Sequence, residues 1–157
     1  MKTRLVIMSD SHGNDDLVWK IIDENPEADY YIHLGDLCSD AAYFPNFIMV
    51  RGNNDYDYTI PNELVTQFNG VRMYLVHSSG FGYNREASLV RMAKLNECSI
   101  VLFGHTHQWC DETVDGIRLL NPGSLQWNRD RSQLGYYLMT IDENSSIEIN
   151  RKYVNVL

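Results

Sequence analysis

Five short apolar segments of this chain each run into a polar side chain that can bind a cation. Such segments are typical of buried β-strands, and in open α/β sheets the carboxyl ends of the strands form the crevice where ligands bind. Side chains from five distant parts of the chain are therefore expected to meet at one edge. The assignments are Asp10 and His12 after Leu5–Ser9, Asp36 after Tyr30–Leu34, Asn53 after Phe47–Val50, His77 after Val71–Val76, and His105 and His107 after Ile100–Phe103.

Local spacing favours this convergence. Gly35, Gly52 and Gly104 each stand directly before a candidate side chain, and a glycine there lets the backbone turn sharply. Two candidates also stand two residues apart in each of the sequences D-S-H and H-T-H. In an extended segment, that spacing places both side chains on the same side of the backbone. The spacing therefore predicts that each pair faces one shared point.

The seven candidate side chains offer nitrogen and oxygen donors and no thiolate. Such a set suits Mn²⁺, Fe²⁺ or Zn²⁺ better than Ca²⁺, which prefers oxygen ligands throughout. Seven ligands are too many for one tetrahedral ion. They match two ions that share a bridging carboxylate.

The remaining sequence completes an α/β pattern. Apolar spacing predicts helices at Asp15–Glu24, with Asn14 as N-cap, and at Arg85–Asn96. The dipeptides Asn69-Gly70 and Asp115-Gly116 predict hairpin turns. The 157 residues are expected to form one domain, residues 1–157, of two packed mixed β-sheets flanked by helices. Further strands are predicted at Leu64–Phe68, Gln108–Val114, Ile117–Leu120, Tyr136–Ile141 and Ile147–Tyr153.

Composition limits the partners. The formal net charge of −8 disfavours a broad nucleic-acid-binding face, although bound cations can reverse the field locally for a small phosphate ester. No segment approaches the roughly 20 apolar residues of a membrane span. The three cysteines, Cys38, Cys98 and Cys110, form no Cys-x-x-Cys motif and suit a reducing compartment, so a cytoplasmic location is expected.

The ordered motifs resemble those of the calcineurin-like metallophosphoesterases. The resemblance covers residues 1–124, and Asn121-Pro122-Gly123-Ser124 is similar to the small YfcE-like phosphodiesterase branch, which includes the retromer sorting subunit. The motifs are Asp10-Ser11-His12, Gly35-Asp36, Gly52-Asn53-Asn54-Asp55, His77 and Gly104-His105-Thr106-His107.

The resemblance implies a four-layer α/β/β/α sandwich that binds two divalent metal ions. Mn²⁺ is the first expectation, with Zn²⁺, Fe²⁺ or Ni²⁺ as alternatives. A hydroxide bridging the ions would attack a small phosphate ester in line. One ion would be held by Asp10, His12, Asp36 and His107, and the other by Asp36, Asn53, His77 and His105, with Asp36 as the bridge.

Two departures from the family pattern bear on activity. Asn54 stands where relatives often have a histidine that protonates the leaving group, and Ser79 stands near where they often have another. An asparagine cannot shuttle a proton at neutral pH. Asp36, Asn54 and Asp55 are the candidate catalytic residues, although capping or orientation is favoured for Asp55.

Three functions stay open at this point. A phosphodiesterase acting on small molecules is the leading interpretation, and a phosphomonoesterase would use the same site. A catalytically weak or inactive interaction scaffold, as in the retromer subunit, is the alternative. The sequence leaves open whether the chain forms a homo-oligomer.

Overall fold

The computed structural model describes residues 1–154 and contains two five-stranded β-sheets, each covered by one α-helix. The fold matches the predicted class of two packed mixed sheets flanked by helices. Its helices are α1 (Asp15–Glu24) and α2 (Arg85–Leu95). Its strands are β1 (Thr3–Met8), β2 (Tyr30–His33), β3 (Phe47–Met49), β4 (Glu63–Phe68), β5 (Val71–Val76), β6 (Ile100–Phe103), β7 (Cys110–Val114), β8 (Ile117–Asn121), β9 (Gly135–Ile141) and β10 (Ile147–Tyr153).

The strands that precede the candidate ligands are parallel within each sheet. The first sheet has the order β10-β9-β1-β2-β3, in which β1, β2 and β3 are parallel. The second has the order β4-β5-β6-β8-β7, in which β5 and β6 are parallel. The carboxyl ends of neighbouring parallel strands meet at the same sheet edge. Both sheets therefore present ligand-bearing loops there.

Alternation along β1 explains why the first sheet is covered on both faces. Leu5 and Ile7 belong to the core between the two sheets, whereas Val6 and Met8 pack with Leu17 of α1. Successive side chains of a strand point to opposite faces. The consecutive apolar residues Leu5–Met8 of β1 therefore need an apolar layer on each side.

The second sheet repeats this arrangement with α2. Met73 and Leu75 of β5 lie in the central core, while Tyr74 and Val76 pack with Leu89 of α2. The resulting order is helix, sheet, sheet, helix, which is the four-layer sandwich implied by the resemblance. Within residues 1–154, no helix is both long and apolar enough to cross a bilayer.

Most predicted boundaries agree with the structure to within one residue, whereas β1 begins at Thr3, two residues before the predicted Leu5. Strand β2 ends at His33 and leaves Leu34 in the loop. Strand β7 begins at Cys110, so the prediction from Gln108 was wrong. Asn14 does stand at the start of α1, but its side chain makes no capping hydrogen bond. The loops that carry the ligands are thus longer than the hydrophobic pattern indicated.

Candidate metal centre

All seven side chains predicted as ligands converge where the two sheets meet. Donor atoms of Asp10, His12 and His107 lie within 4.8 Å of one another, and so do those of Asp36, His77 and His105. We name these the first and second ligand groups. The first sheet supplies the loops after β1, β2 and β3, and the second supplies those after β5 and β6. Neither sheet alone forms the site.

The first ligand group is compact. Nε2 of His12 lies 3.1 Å from Nε2 of His107. These two nitrogens lie 3.8 Å and 3.3 Å, respectively, from Oδ1 of Asp10. Three donor atoms that close together can share one cation.

Asn53 joins the second ligand group. Its Oδ1 lies 3.0 Å from Nε2 of His77 and 3.2 Å from Nδ1 of His105. Nε2 of His77 lies 3.3 Å from Oδ2 of Asp36. The grouping agrees with the division of ligands that the resemblance implied.

One carboxylate oxygen lies between the two groups. Oδ2 of Asp36 is 3.3 Å from Nε2 of His77 in the second group and 3.6 Å from Nε2 of His12 in the first. This is the position that a bridging ligand of two ions needs. Asp10 also reaches across, because its Oδ1 lies 3.9 Å from Nε2 of His77.

Asp10 provides a test of whether a cation fits. The side chain is fully buried, yet its Oδ1 has no hydrogen-bond partner within the described chain. A buried carboxylate oxygen without a partner is costly. A divalent cation between this oxygen and the neighbouring imidazole nitrogens would supply the missing interaction, so the residues fit a metal.

Backbone carbonyls fix the orientation of two imidazoles. Nδ1 of His77 lies 2.8 Å from the carbonyl oxygen of Leu34, and Nδ1 of His107 lies 3.1 Å from that of Trp127. Because a carbonyl can only accept, each Nδ1 must carry the hydrogen and donate it. In the neutral imidazole, Nε2 is then left with its lone pair directed at the site, as metal ligation requires.

Left-handed backbone at the strand ends directs the ligands inward. A positive φ is uncommon outside glycine, and such strain costs on the order of 1–3 kcal/mol at each residue. The spacing argument predicted that the D-S-H and H-T-H pairs each face one point because their backbone is extended. That reason was wrong, because both pairs lie in tight turns. The residues are Asp10 (φ 55°), His12 (φ 48°), Asp36 (φ 57°), His105 (φ 73°) and His107 (φ 54°).

The three glycines predicted to allow close approach do so. A Cβ on Gly104 would lie 2.7 Å from Oδ2 of Asp10, and one on Gly35 would lie 2.5 Å from Nδ1 of His77. A Cβ on Gly52 would overlap the backbone nitrogen and the carboxylate of Asp36. Any side chain at these positions would displace a ligand.

Asp55 is used to build the site, as its interpretation as a capping or orienting residue predicts. Its Oδ2 accepts hydrogen bonds from the backbone N–H groups of Asp36 (2.8 Å) and Gly52 (2.7 Å). Its Oδ1 accepts from the backbone N–H of Cys38 (2.8 Å). Both oxygens are therefore committed to backbone amides, an arrangement that favours orientation of the Asp36 turn over proton donation.

Asn54, the other catalytic candidate beside Asp36, contacts that carboxylate directly. Its backbone N–H donates to Oδ1 of Asp36 (2.8 Å), and its Nδ2 donates to Oδ2 (3.0 Å). Both bonds stabilise the ionised form of Asp36. The side chain of Asn54 is exposed and lies at the edge of the site.

Charges within the site raise the pKa of two imidazoles, so that a proton binds more readily to His12 and His77 when no cation competes. Burial alone would raise the pKa of Asp10, but the imidazoles of His107 and His12 beside its Oδ1 outweigh burial and hold that pKa below its usual value. The adjacent carboxylate of Asp10 raises the pKa of His12. Burial lowers the pKa of His77, but Asp36 and Asp10 more than compensate, so it is raised. A metal must displace these protons.

Several residues outside the two ligand groups support Asp10. Ser9 donates a short hydrogen bond to Oδ2 of Asp10, and Ser124 donates its hydroxyl to the carbonyl of Asp10 (2.8 Å). Asn128 in turn accepts from the backbone N–H of Ser124 (2.7 Å). Small polar residues are common everywhere in a sequence, so only the fold reveals which of them support a ligand.

Cys38 lies at the edge of the first ligand group, with Sγ 3.8 Å from Nδ1 of His12. Burial, followed by the charges of Asp36 and Asp55, raises the pKa of this thiol to about 12. The thiol therefore stays protonated at neutral pH and is a poor nucleophile.

Comparisons with known proteins agree with the geometry. The profile of the calcineurin-like phosphoesterase superfamily domain matches residues 3–144. A probable metallophosphoesterase of Mycoplasma pneumoniae is 30% identical over 145 residues, which cover 86% of this chain and 87% of that protein. A predicted phosphoesterase from Streptococcus pneumoniae TIGR4 has a crystal structure with a TM-score of 0.83 and 27% identity, over 96% of this chain and 89% of its own. Vps29 of Chaetomium thermophilum shares the fold with a TM-score of 0.75 and 18% identity, over 96% of both chains.

Proposed function

We propose that this chain, which belongs to the calcineurin-like phosphoesterase superfamily, is a phosphodiesterase that hydrolyses small phosphate diesters with two divalent metal ions. The observation that carries this proposal is the buried, unpartnered Oδ1 of Asp10, which faces imidazole nitrogens of His12, His107 and His77. Such an arrangement is unfavourable without a cation and favourable with one.

The ligands divide between the ions by their contacts. Asp10, His12 and His107 would hold the first ion, and Asn53, His77 and His105 the second, with Asp36 shared. Mn²⁺ is the proposed metal, because imidazole together with carboxylate and amide oxygen suits the intermediate divalent ions. When bound, such a pair supplies an activated nucleophile at neutral pH and positive charge for the phosphoryl oxygens.

The protein's own residues orient this chemistry. Asn54 and Asp55 fix the Asp36 turn through the five hydrogen bonds described above. The carbonyls of Leu34 and Trp127 keep His77 and His107 in the tautomer that a metal requires. The site is thus organised before any ligand binds, which reduces the reorganisation that the reaction needs.

Proton supply to the leaving group limits the substrates. The amide of Asn54 cannot donate a catalytic proton at neutral pH, and both oxygens of Asp55 accept from backbone amides. Leaving groups that depart as anions need no such proton. Activated diesters, such as aryl esters, are therefore expected to react faster than alkyl esters.

The test combines metal analysis with assays on bis(p-nitrophenyl) phosphate and p-nitrophenyl phosphate in Mn²⁺. We expect two ions per chain and faster turnover of the diester. Asp36→Asn should lower turnover by roughly 100-fold, because the bridging carboxylate is lost. Asp40→Asn is the matched control, since Asp40 caps the short 3₁₀ helix Ala41–Tyr43 and asparagine caps equally well.

Each other outcome has a distinct meaning. Diester turnover that is unchanged in Asp36→Asn would refute the two-metal mechanism. Faster turnover of the monoester would favour a phosphomonoesterase. Two bound ions with no turnover of either ester would favour the interaction scaffold.

A further inference from the structure

A cavity of about 490 Å³ lies beside the loop that carries His105 and His107. Thr106, which lines it, lies between the two histidines of the H-T-H motif, and Phe103 lines it from the end of β6. The other walls include Arg85 and Glu86 at the start of α2, and Trp109 and Glu112 around β7. None of these residues belongs to the ligand groups. A volume of this size is typical of small-molecule sites, so the cavity has room for a substituent of the phosphate.

Arg85 places a positive charge at the end of the cavity near the metal centre. Its Nε donates to the carbonyl (3.3 Å) and hydroxyl (3.1 Å) oxygens of Ser78, the residue that follows His77. Neither terminal nitrogen of the guanidinium has a hydrogen-bond partner among residues 1–154. A guanidinium held by Nε alone can present both terminal nitrogens to an anionic oxygen.

Two carboxylates add negative charge to the cavity wall. Glu86 and Glu112 both line the cavity, and Glu86 raises the pKa of Glu112. Neither makes an ion pair within the described chain, whereas the neighbouring Asp111 is bound by Arg118 at 2.9 Å and 3.0 Å. Two like charges held together without a counter-ion repel each other. A cationic group between them would relieve that repulsion.

Trp109 adds an aromatic surface to this wall. Its side chain is 40% exposed and lines the cavity, and the guanidinium of Arg151 lies 5.2 Å from its ring centroid. An indole ring attracts cations, including quaternary ammonium groups. The cavity therefore has a guanidinium near the metal centre, and an indole with two carboxylates in its other walls.

We propose, building on the phosphodiesterase function above, that this cavity selects phosphodiesters whose substituent carries an amine or a quaternary ammonium group. Arg85 would contact the phosphate oxygens. Glu86, Glu112 and Trp109 would contact the cationic end. The charge distribution of the cavity complements that of a zwitterionic phosphodiester, in which a negative phosphate and a positive nitrogen are joined by a short linker.

The test compares two esters that differ only in charge. p-Nitrophenyl phosphocholine carries the ammonium group, and p-nitrophenyl 3,3-dimethylbutyl phosphate replaces its nitrogen by carbon. In both, water adds to phosphorus, the P–O bond to the aryl group breaks, and p-nitrophenolate leaves with the alkyl monoester as co-product. We expect kcat/KM in Mn²⁺ to be about tenfold higher for the choline ester.

Paired substitutions identify the residues responsible. In Glu86→Gln/Glu112→Gln, the ratio of kcat/KM for the two esters should fall to within about twofold of unity. The control Glu24→Gln/Glu148→Gln changes the net charge equally on the exposed surface of α1 and β10, and should keep the preference. Equal kcat/KM for both esters in the parent protein, or a preference that survives in the cavity variant, would overturn the proposal.

A binding measurement separates this proposal from the proposed hydrolysis. Isothermal titration of the Mn²⁺-supplemented protein with phosphocholine and with 3,3-dimethylbutyl phosphate requires no turnover. Tighter binding of phosphocholine that is lost in Glu86→Gln/Glu112→Gln would support the cavity assignment even if neither ester were hydrolysed. Equal affinity for the two ligands would refute the assignment, whatever the outcome of the activity assay.

Discussion

At the scale of single residues, His33 differs from the other histidines near the site because its two nitrogens hydrogen bond to Ser11 and to the backbone, and not to a candidate ligand. The backbone N–H of Gly35 donates to Nδ1 (3.2 Å), so the ring hydrogen lies on Nε2 and is donated to the hydroxyl of Ser11 (2.9 Å). His33 thus connects the turn after β1 to the turn after β2. These contacts give His33 a structural role.

The neutral state of His33 predicts acid sensitivity in a defined pH range. Burial lowers its folded pKa to about 4, against 6.5 for the free side chain. As pH falls, His33 therefore takes up a proton in the unfolded chain before it does so in the folded protein. Its contribution to stability is fully present above pH 6.5 and is lost as pH falls towards 4. Urea unfolding of the metal-free protein measures this contribution. Between pH 7 and 4.5, the titration of His33 should lower the free energy of unfolding by about 2 kcal/mol.

The His33→Gln variant isolates this contribution. It should be less stable at pH 7, and its stability should fall less steeply between pH 7 and 4.5 than that of the parent protein. Other titrating groups remain in both proteins, so the difference between the two pH profiles reports His33. A difference that stays constant over this range would show that His33 does not titrate as proposed. An NMR titration of the ring protons checks the same pKa in the intact protein.

At the scale of structural elements, the junctions between strands and loops determine the site, and Gly52→Ala tests one of them. A methyl group there would come closer than 3.0 Å to Asp36, so the turn that carries the bridging carboxylate must shift. We expect Mn²⁺ affinity to fall by at least about tenfold. Calorimetric titration measures that loss directly.

Gly80→Ala is the matched control for that substitution. A Cβ at Gly80 would meet nothing within 4 Å, and the residue has no positive φ. Its Mn²⁺ affinity should be unchanged, with stability equal or slightly higher because alanine restricts the unfolded chain. Unchanged affinity in Gly52→Ala would contradict the argument that close backbone approach forms the site.

The elements themselves were predictable because local chemistry and tertiary packing agree. Helix α1 spans Asp15–Glu24 as its apolar spacing predicted, and Asn69 (φ 47°) and Gly70 (φ 81°) form the predicted hairpin turn. The ligand set could be assigned because several strand ends repeat the same glycine-then-ligand pattern. That pattern carries information even though a single histidine or aspartate carries little.

The hydrogen-bond partners of the supporting residues could not be read from the sequence, because they lie in distant segments. The role of Asp55 follows from backbone amides of Asp36 and Cys38, 19 and 17 residues away. The left-handed turn at Asp10 is supported by Ser124, 114 residues away. Neither arrangement leaves a periodic signal in the sequence. The fold must be known before these residues can be assigned.

At the scale of the whole molecule, the metal centre joins the two sheets. Asp10, Asp36 and Asn53 come from loops of the first sheet, whereas His77 and His107 come from loops of the second. The unfolded chain does not hold these groups together. Ions bound between them therefore stabilise the packing of sheet on sheet, and with it the global fold.

Mn²⁺ should consequently raise the melting temperature of the protein. At a free concentration 100 times Kd, each ion adds about 2.7 kcal/mol to the free energy of unfolding, which for a domain of this size corresponds to a shift of roughly 5–10 °C. Asp10→Asn should lose most of this shift, because the buried Oδ1 that faces three imidazoles is replaced by an amide. Asp40→Asn is an equally conservative change at a residue that belongs to neither ligand group. This variant should retain the full shift in melting temperature. A full shift in Asp10→Asn, measured by calorimetric melting at matched Mn²⁺ concentration, would mean that the ions bind elsewhere.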